Sequence, residues 1–162
     1  MLIGVISDTH GLLRPEALEA LQGSDAIIHA GDVGEPGILT KLGEIAPVTA
    51  VRGNVDRGAW ARKLPANNVL EIGGISIYVL HIIEQLDLKP EAAGFAAVIY
   101  GHTHVPKQEI ENGVLYFNPG SAGPKRFKLP VSIGRLEIKA GKITGAILEI
   151  PDHAHPIRRK RE

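Results

Sequence analysis

Cysteine is absent from the chain, which excludes disulfides, thiolate zinc sites and cysteine nucleophiles and leaves the redox compartment open. An excess of charge of either sign is absent too. Eighteen Lys and Arg balance eighteen Asp and Glu, so no overall field draws the chain to nucleic acid or to an anionic membrane. A stable nucleic-acid complex is therefore not expected, and any affinity for a polyanion has to be local. No apolar run approaches the ~18 residues that a membrane span needs. No basic start precedes the apolar residues 2–6, so a secretory signal is not expected and a cytoplasmic protein without membrane partners is. The 19 Gly and 11 Pro point to tight turns rather than disorder, because 44% of the 162 residues are hydrophobic. That length suits one domain with one core. Residues 1–150 are expected to form it, followed by a polar, basic tail over 151–162; a homo-oligomer is compatible with this composition.

The first third alternates strand and helix. Strands are predicted over 2–7, 25–30 and 48–52. Helices are predicted over 14–22, with Pro15 in its first turn and Gly23 as its stop, and over 36–42, where Ile38, Leu39 and Leu42 share a face. This βαβαβ order implies parallel strands with right-handed crossovers. From residue 69 hairpins take over: 69–72 with 75–81 around Gly73-Gly74, 105–111 with 114–118 around Asn112-Gly113, and 131–139 with 142–150 around Ala140-Gly141. An apolar strand is predicted over 96–100. Two mixed sheets packed face to face, with helices outside, are expected.

Five of these strands run straight into metal-binding side chains: Asp8-Thr9-His10, Gly31-Asp32, Gly53-Asn54-Val55-Asp56, His81, and Gly101-His102-Thr103-His104. In open α/β sheets ligands gather beyond the carboxyl ends of the strands. Each block alone would more often be a turn or a surface imidazole; five together indicate a dinuclear site of oxygen and nitrogen donors. Alternate residues of an extended segment point the same way, so Asp8 and His10 are expected to face one ion, as are His102 and His104. Mixed carboxylate and imidazole donors favour Mn, with Fe, Zn, Co or Ni as alternatives, over Mg or Ca. Gly31 lets the backbone approach closely and leaves the Asp32 carboxylate free to bridge two ions.

These blocks, in this order, resemble those of the calcineurin-like metallophosphoesterases: Asp-x-His, Gly-Asp, Gly-Asn-x-Asp/Glu, a strand-end His, then Gly-His-x-His. The resemblance covers residues 2 to about 121. The short chain and Asn118-Pro119-Gly120-Ser121 make it most similar to the small single-domain phosphodiesterase branch. It implies a four-layer α/β/β/α sandwich. It also implies one divalent ion held by Asp8, His10, Asp32 and His104, and a second held by Asp32, Asn54, His81 and His102. Two departures stand out: Ile82 follows His81 where relatives often carry Gly, and Val55 replaces the His that in many relatives helps protonate the leaving group.

The function implied is hydrolysis of phosphodiester bonds in a small molecule or nucleotide by a hydroxide formed from a water that bridges the two ions, the pKa of that water falling toward ~7. A phosphomonoesterase or nucleotidase on the same site, and a non-catalytic scaffold of this fold, are the alternatives. Asp56, Asn54 and His102 are assigned to catalysis, Asp56 by orienting a ligand imidazole from behind and Asn54 as a neutral ligand that keeps the site positive. His29 is expected to satisfy a backbone group at its strand end. Lys125 and Arg126 are weighed between reaching a substrate phosphate and plain solvation. His153, His155 and the basic run 158–161 are expected to be solvated.

Overall fold

The computed structural model describes residues 1–152; His153, His155 and 158–161 lie outside the described residues. One sheet consists of β1 (Leu2–Ile6), β2 (Ala26–His29), β3 (Val48–Ala50), β9 (Ser132–Lys139) and β10 (Lys142–Glu149), ordered β10-β9-β1-β2-β3. The other consists of β4 (Asn67–Ile72), β5 (Ile75–Leu80), β6 (Phe95–Ile99), β7 (Lys107–Glu111) and β8 (Val114–Asn118), ordered β4-β5-β6-β8-β7. Both are mixed. β1, β2 and β3 run parallel, as do β5, β6 and β8, while the outer pairs are antiparallel.

The sheets bury one face against each other. Ile3 and Val5 of β1, Ile28 of β2 and Leu136 of β9 meet Ile77, Val79, Ile99 and Phe117 of the second sheet. Helices α1 (Pro15–Leu21) and α2 (Pro36–Gly43) cover the outer face of the first sheet, setting Ala17, Leu21, Ile38 and Leu42 against Ile6 and Ile27. β1 and β2 are covered on both faces, which is why they read as unbroken apolar runs. The fourth layer is thin. A 3-10 turn (Ile83–Gln85), α4 (Pro90–Ala93) and the residues between them lay Ile83, Leu86 and Leu88 over Tyr78, Leu80, Val98 and Tyr100. The four-layer sandwich is thus present. Among the described residues, no helix is long and apolar enough to cross a membrane.

Three differences from the sequence reading have simple causes. The strand expected from residue 105 starts at Lys107, because Pro106 has no N–H for a ladder. The 3-10 turn, α4 and α3 (Ala59–Arg62) are each about one turn long, too short to show a periodicity. The segments that follow β1, β2 and β6 are not extended. The carboxyl ends of β1, β2, β3, β5 and β6 nevertheless converge at one end of the sandwich.

Candidate metal centre

Backbone shape comes first, because it decides where each donor points. Asp8 (φ 55°), His10 (φ 45°), Asp32 (φ 55°), His102 (φ 73°) and His104 (φ 63°) all occupy the left-handed region. Such residues are uncommon and cost ~1–3 kcal/mol each, so the surrounding structure must impose them. Here it does so by bracing the loops on one another: Asp8 N–H donates to Gly31 O at 3.0 Å, His10 N–H to Asp32 O at 2.9 Å, and Gly101 N–H to His81 O at 3.0 Å. The expectation that His102 and His104 face one ion is thereby overturned. Alternation holds for extended chain, and here the backbone is not extended: His102 and His104 are both left-handed, and their rings join different groups of donors.

The side chains fall into two groups. In the first, His104 Nε2 lies 3.3 Å and His10 Nε2 lies 3.6 Å from Asp8 Oδ1, and the two imidazole nitrogens stand 3.2 Å apart. In the second, His81 Nε2 lies 3.1 Å from Asp32 Oδ2 and 3.0 Å from Asn54 Oδ1, and His102 Nδ1 lies 3.1 Å from the same Asn54 oxygen. The groups touch: Asp32 Oδ2 is also 3.7 Å from His10 Nε2, and Asp8 Oδ1 is 3.9 Å from His81 Nε2. With ligand bonds of ~2.0–2.2 Å, neighbouring donors of one ion stand ~3–3.5 Å apart, and most spacings within each group fall in that range. Both carboxylates thus lie at the boundary between the groups, Asp32 slightly the closer.

Two observations fit a cation in their midst. Asp8 Oδ1 is fully buried and has no hydrogen-bond partner among the described residues, although imidazole nitrogens surround it; a buried carboxylate oxygen left so is expensive. Second, the Nδ1–H of His81 donates to Ala30 O at 2.7 Å, which fixes the tautomer and turns the Nε2 lone pair inward. Ile82 does not displace this ring: His81 is only 4% exposed and is the most tightly held imidazole of the second group.

Burial by itself would raise the pKa of Asp8, but His10, His104 and the Ser7 hydroxyl outweigh it and hold the carboxyl well below the usual range. Burial likewise opposes the shift at Asp32, where His81 and the Val55 N–H prevail and lower the pKa. His81 is raised despite burial, through Asp32, Asp8 and the Ala30 carbonyl. A cation would keep both carboxylates ionised and reverse the direction at His81.

Asp56 stands differently from what was expected: among the described residues it makes no hydrogen bond to an imidazole. Its buried carboxylate accepts backbone N–H groups from Val33 at 3.2 Å, Gly34 at 2.9 Å and Gly53 at 2.9 Å, tying the loop that carries Asp32 to the one that carries Asn54. Glycine permits that closeness: a Cβ on Gly53 would collide with Asp32, and one on Gly101 with Ser7 and Asp8.

Several residues to which the sequence assigned no role at the site brace the donor loops. Ser7 Oγ donates to Asp8 Oδ2 at 2.6 Å. Asn118 Nδ2 donates to Gly101 O and Thr103 Oγ1, and Ser121 Oγ donates to Asp8 O. The Asn-Pro-Gly-Ser motif was the available signal; it clamps the first and last donor loops. His29 is fully buried, accepting the Gly31 N–H at Nδ1 and facing Thr9 Oγ1 at 3.0 Å through Nε2. A backbone group is satisfied there, as expected. Lys125 stands 3.9 Å from Asp152, and Arg126 makes no ion pair among the described residues.

Residues 1–141 match the family model of the calcineurin-like phosphoesterase superfamily domain. The chain is 38% identical over 161 residues to a probable metallophosphoesterase of Methanothermobacter thermautotrophicus, spanning 91% of this chain and 92% of that protein. Among solved structures it resembles one described as a novel archaeal phosphodiesterase, with a TM-score of 0.76, 25% identity and coverage of 91% of this chain and 100% of that one. It also resembles Vps29 of Chaetomium thermophilum, with a TM-score of 0.73 over 93% and 97% of the two chains. At 18% identity, that second likeness is one of fold alone.

Proposed function

This chain belongs to the calcineurin-like phosphoesterase superfamily, and from that premise we propose that it is a metal-dependent phosphodiesterase built around two divalent cations. Asp8, His10, Asp32 and His104 would hold one; Asp32, Asn54, His81 and His102 would hold the other. The observation that carries this reading is the buried Asp8 Oδ1, without a hydrogen-bond partner among the described residues and facing three imidazole nitrogens. Bound cations of this kind acidify a water, grip two phosphate oxygens and offset the charge of an in-line displacement.

The chain's own residues do the rest. Asp8, Asp32, His81 and His104 form a buried floor, whereas Asn54 and His102 are exposed and His10 is partly so. Substrate therefore approaches across that rim. Only Asp8 and Asp32 bring negative charge among the seven proposed ligands, so the loaded site retains a positive excess suited to an anionic ester. Val55 sits at the mouth, 45% exposed, and has no proton to give, which favours diesters with good leaving groups. The nitrogen-rich donor set selects Mn, or Fe, Zn, Co or Ni, over Mg. A scaffold of this fold would need no such convergence of donors.

The test measures metal content and turnover together on a panel of activated phosphodiesters and monoesters. We expect about two divalent ions per chain, diester hydrolysis abolished by chelation, and better restoration by Mn²⁺ than by Mg²⁺. Turnover that persists in protein shown to be free of metal sinks the reading; faster cleavage of monoesters than of diesters transfers it to a monoesterase.

A further inference from the structure

Beside the second donor group lies a cleft of about 180 Å³, walled by Arg52, Asn54, Ala66, His81, Ile82 and Gln85. That is well below the ~300–1,000 Å³ of a pocket for a whole small molecule. It has room for one small arm of a substrate. Among the described residues no carboxylate lines it. The Arg52 backbone is anchored by its N–H to Pro65 O at 2.8 Å, while its half-buried side chain has no hydrogen-bond or ion-pair partner among the described residues. A cation in a cleft that shares Asn54 and His81 with the proposed reaction centre invites an anion only a few bonds from the scissile phosphorus.

We propose that Arg52 and Gln85 form a subsite for a second phosphoryl group of the substrate, so that diesters carrying an additional phosphate on one arm are preferred. This rests on the phosphodiesterase reading. The planar guanidinium fork engages two oxygens at once, and the Gln85 amide supplies a further N–H donor for a third. A phosphoryl group offers three such oxygens, a carboxylate two. Ile82 provides the apolar wall against which the linking carbons lie.

The test uses three p-nitrophenyl phosphodiesters that differ only in the second arm: methyl, 2-carboxyethyl and 2-phosphoethyl. Each is cleaved by metal-loaded wild type and by the Arg52→Ala, Arg52→Lys and Gln85→Ala variants, with folding checked by circular dichroism. In wild type, kcat/KM for the phosphoethyl ester should exceed that for the methyl ester by about ten-fold or more, chiefly through KM, as expected for a bidentate charge-assisted contact. The carboxyethyl ester should fall between. The ratio should drop to about one in Arg52→Ala and to intermediate values in Arg52→Lys and Gln85→Ala. Equal kcat/KM for the three esters in wild type, or a phosphoethyl preference that survives Arg52→Ala, overturns the subsite. If wild type cleaves none of them, the diesterase reading itself has failed. Calorimetry of 2-phosphoethyl methyl phosphate against dimethyl phosphate then decides: about five-fold or greater weakening of the former by Arg52→Ala supports the subsite, and unchanged affinity refutes it.

Discussion

Replacing Asp56 by Ala should do more damage than its place in the sequence suggests. Three backbone N–H groups converge on this carboxylate at 2.9–3.2 Å, and the residue is only 7% exposed. Hydrogen bonds to a charged acceptor contribute ~1.5–3 kcal/mol each, and donors left buried without a partner carry their full desolvation cost. Simple addition would give ~5–9 kcal/mol, but Gly34 is exposed and water can reach its N–H, and neighbouring terms are not additive. A loss of about 3–5 kcal/mol is therefore expected. For a domain of this size that corresponds to a fall in Tm of roughly 6–20 °C. Because the same bonds join the loops of Asp32 and Asn54, metal stoichiometry should drop as well. The control is Asp25→Ala, which removes a carboxylate bonded at 2.8 Å to the exposed N–H of Leu2; there water takes over and the loss should stay under ~1 kcal/mol. Urea unfolding monitored by circular dichroism, paired with metal analysis, reads both quantities. If Asp56→Ala loses no more stability than Asp25→Ala and binds metal normally, the loop-joining role is wrong.

Asp32→Ala should empty or cripple both cation positions, because one carboxylate serves both groups, whereas His81→Ala should lower chiefly one; metal content per chain distinguishes them, and equal losses would refute the assignment of Asp32 between the two. Val55→His adds an imidazole at the mouth while keeping the backbone N–H that holds Asp32 Oδ1 at 3.0 Å. Rates over a series of aryl and alkyl esters should then depend less steeply on leaving-group pKa, by up to the ~10²–10⁴-fold that a positioned acid contributes to poor leaving groups; parallel slopes in a folded, metal-loaded variant would rule position 55 out as the proton donor. Burial pushes His29 down to about 4, from ~6.5 in the unfolded chain. The unfolded state thus takes up this proton first as pH falls, and stability should decline by ~3 kcal/mol between about pH 6.5 and 4, then level off. Comparing metal-free wild type with His29→Gln isolates this term, since the opposite contribution of His81 is common to both; identical pH slopes would contradict it.

The candidate donors themselves were legible in the chain. A buried strand must be apolar, so each apolar run announces its own end, and the first polar residues beyond it stand at the rim of the sheet. Asp8, His10, Asp32, Asn54, His81, His102 and His104 could be named on that ground, as could the pairing of strands by crossover and hairpin signals. What the tertiary structure decided is how those donors are shared out. His102 and His104 face different groups, whereas Asp8 and His10, at the same spacing and also left-handed, share one; the difference is set by loops bracing one another across the sandwich, not by spacing along the chain. Asp56 stands one residue beyond Val55 and two beyond Asn54, yet its partners at Val33 and Gly34 are more than twenty residues away. The same holds for the cleft at Arg52, whose far wall, Ile82 and Gln85, belongs to another strand's exit. Periodicity and motif spacing report on neighbours along the chain; hydrogen bonds and cavities between distant loops exist only once the two sheets have packed.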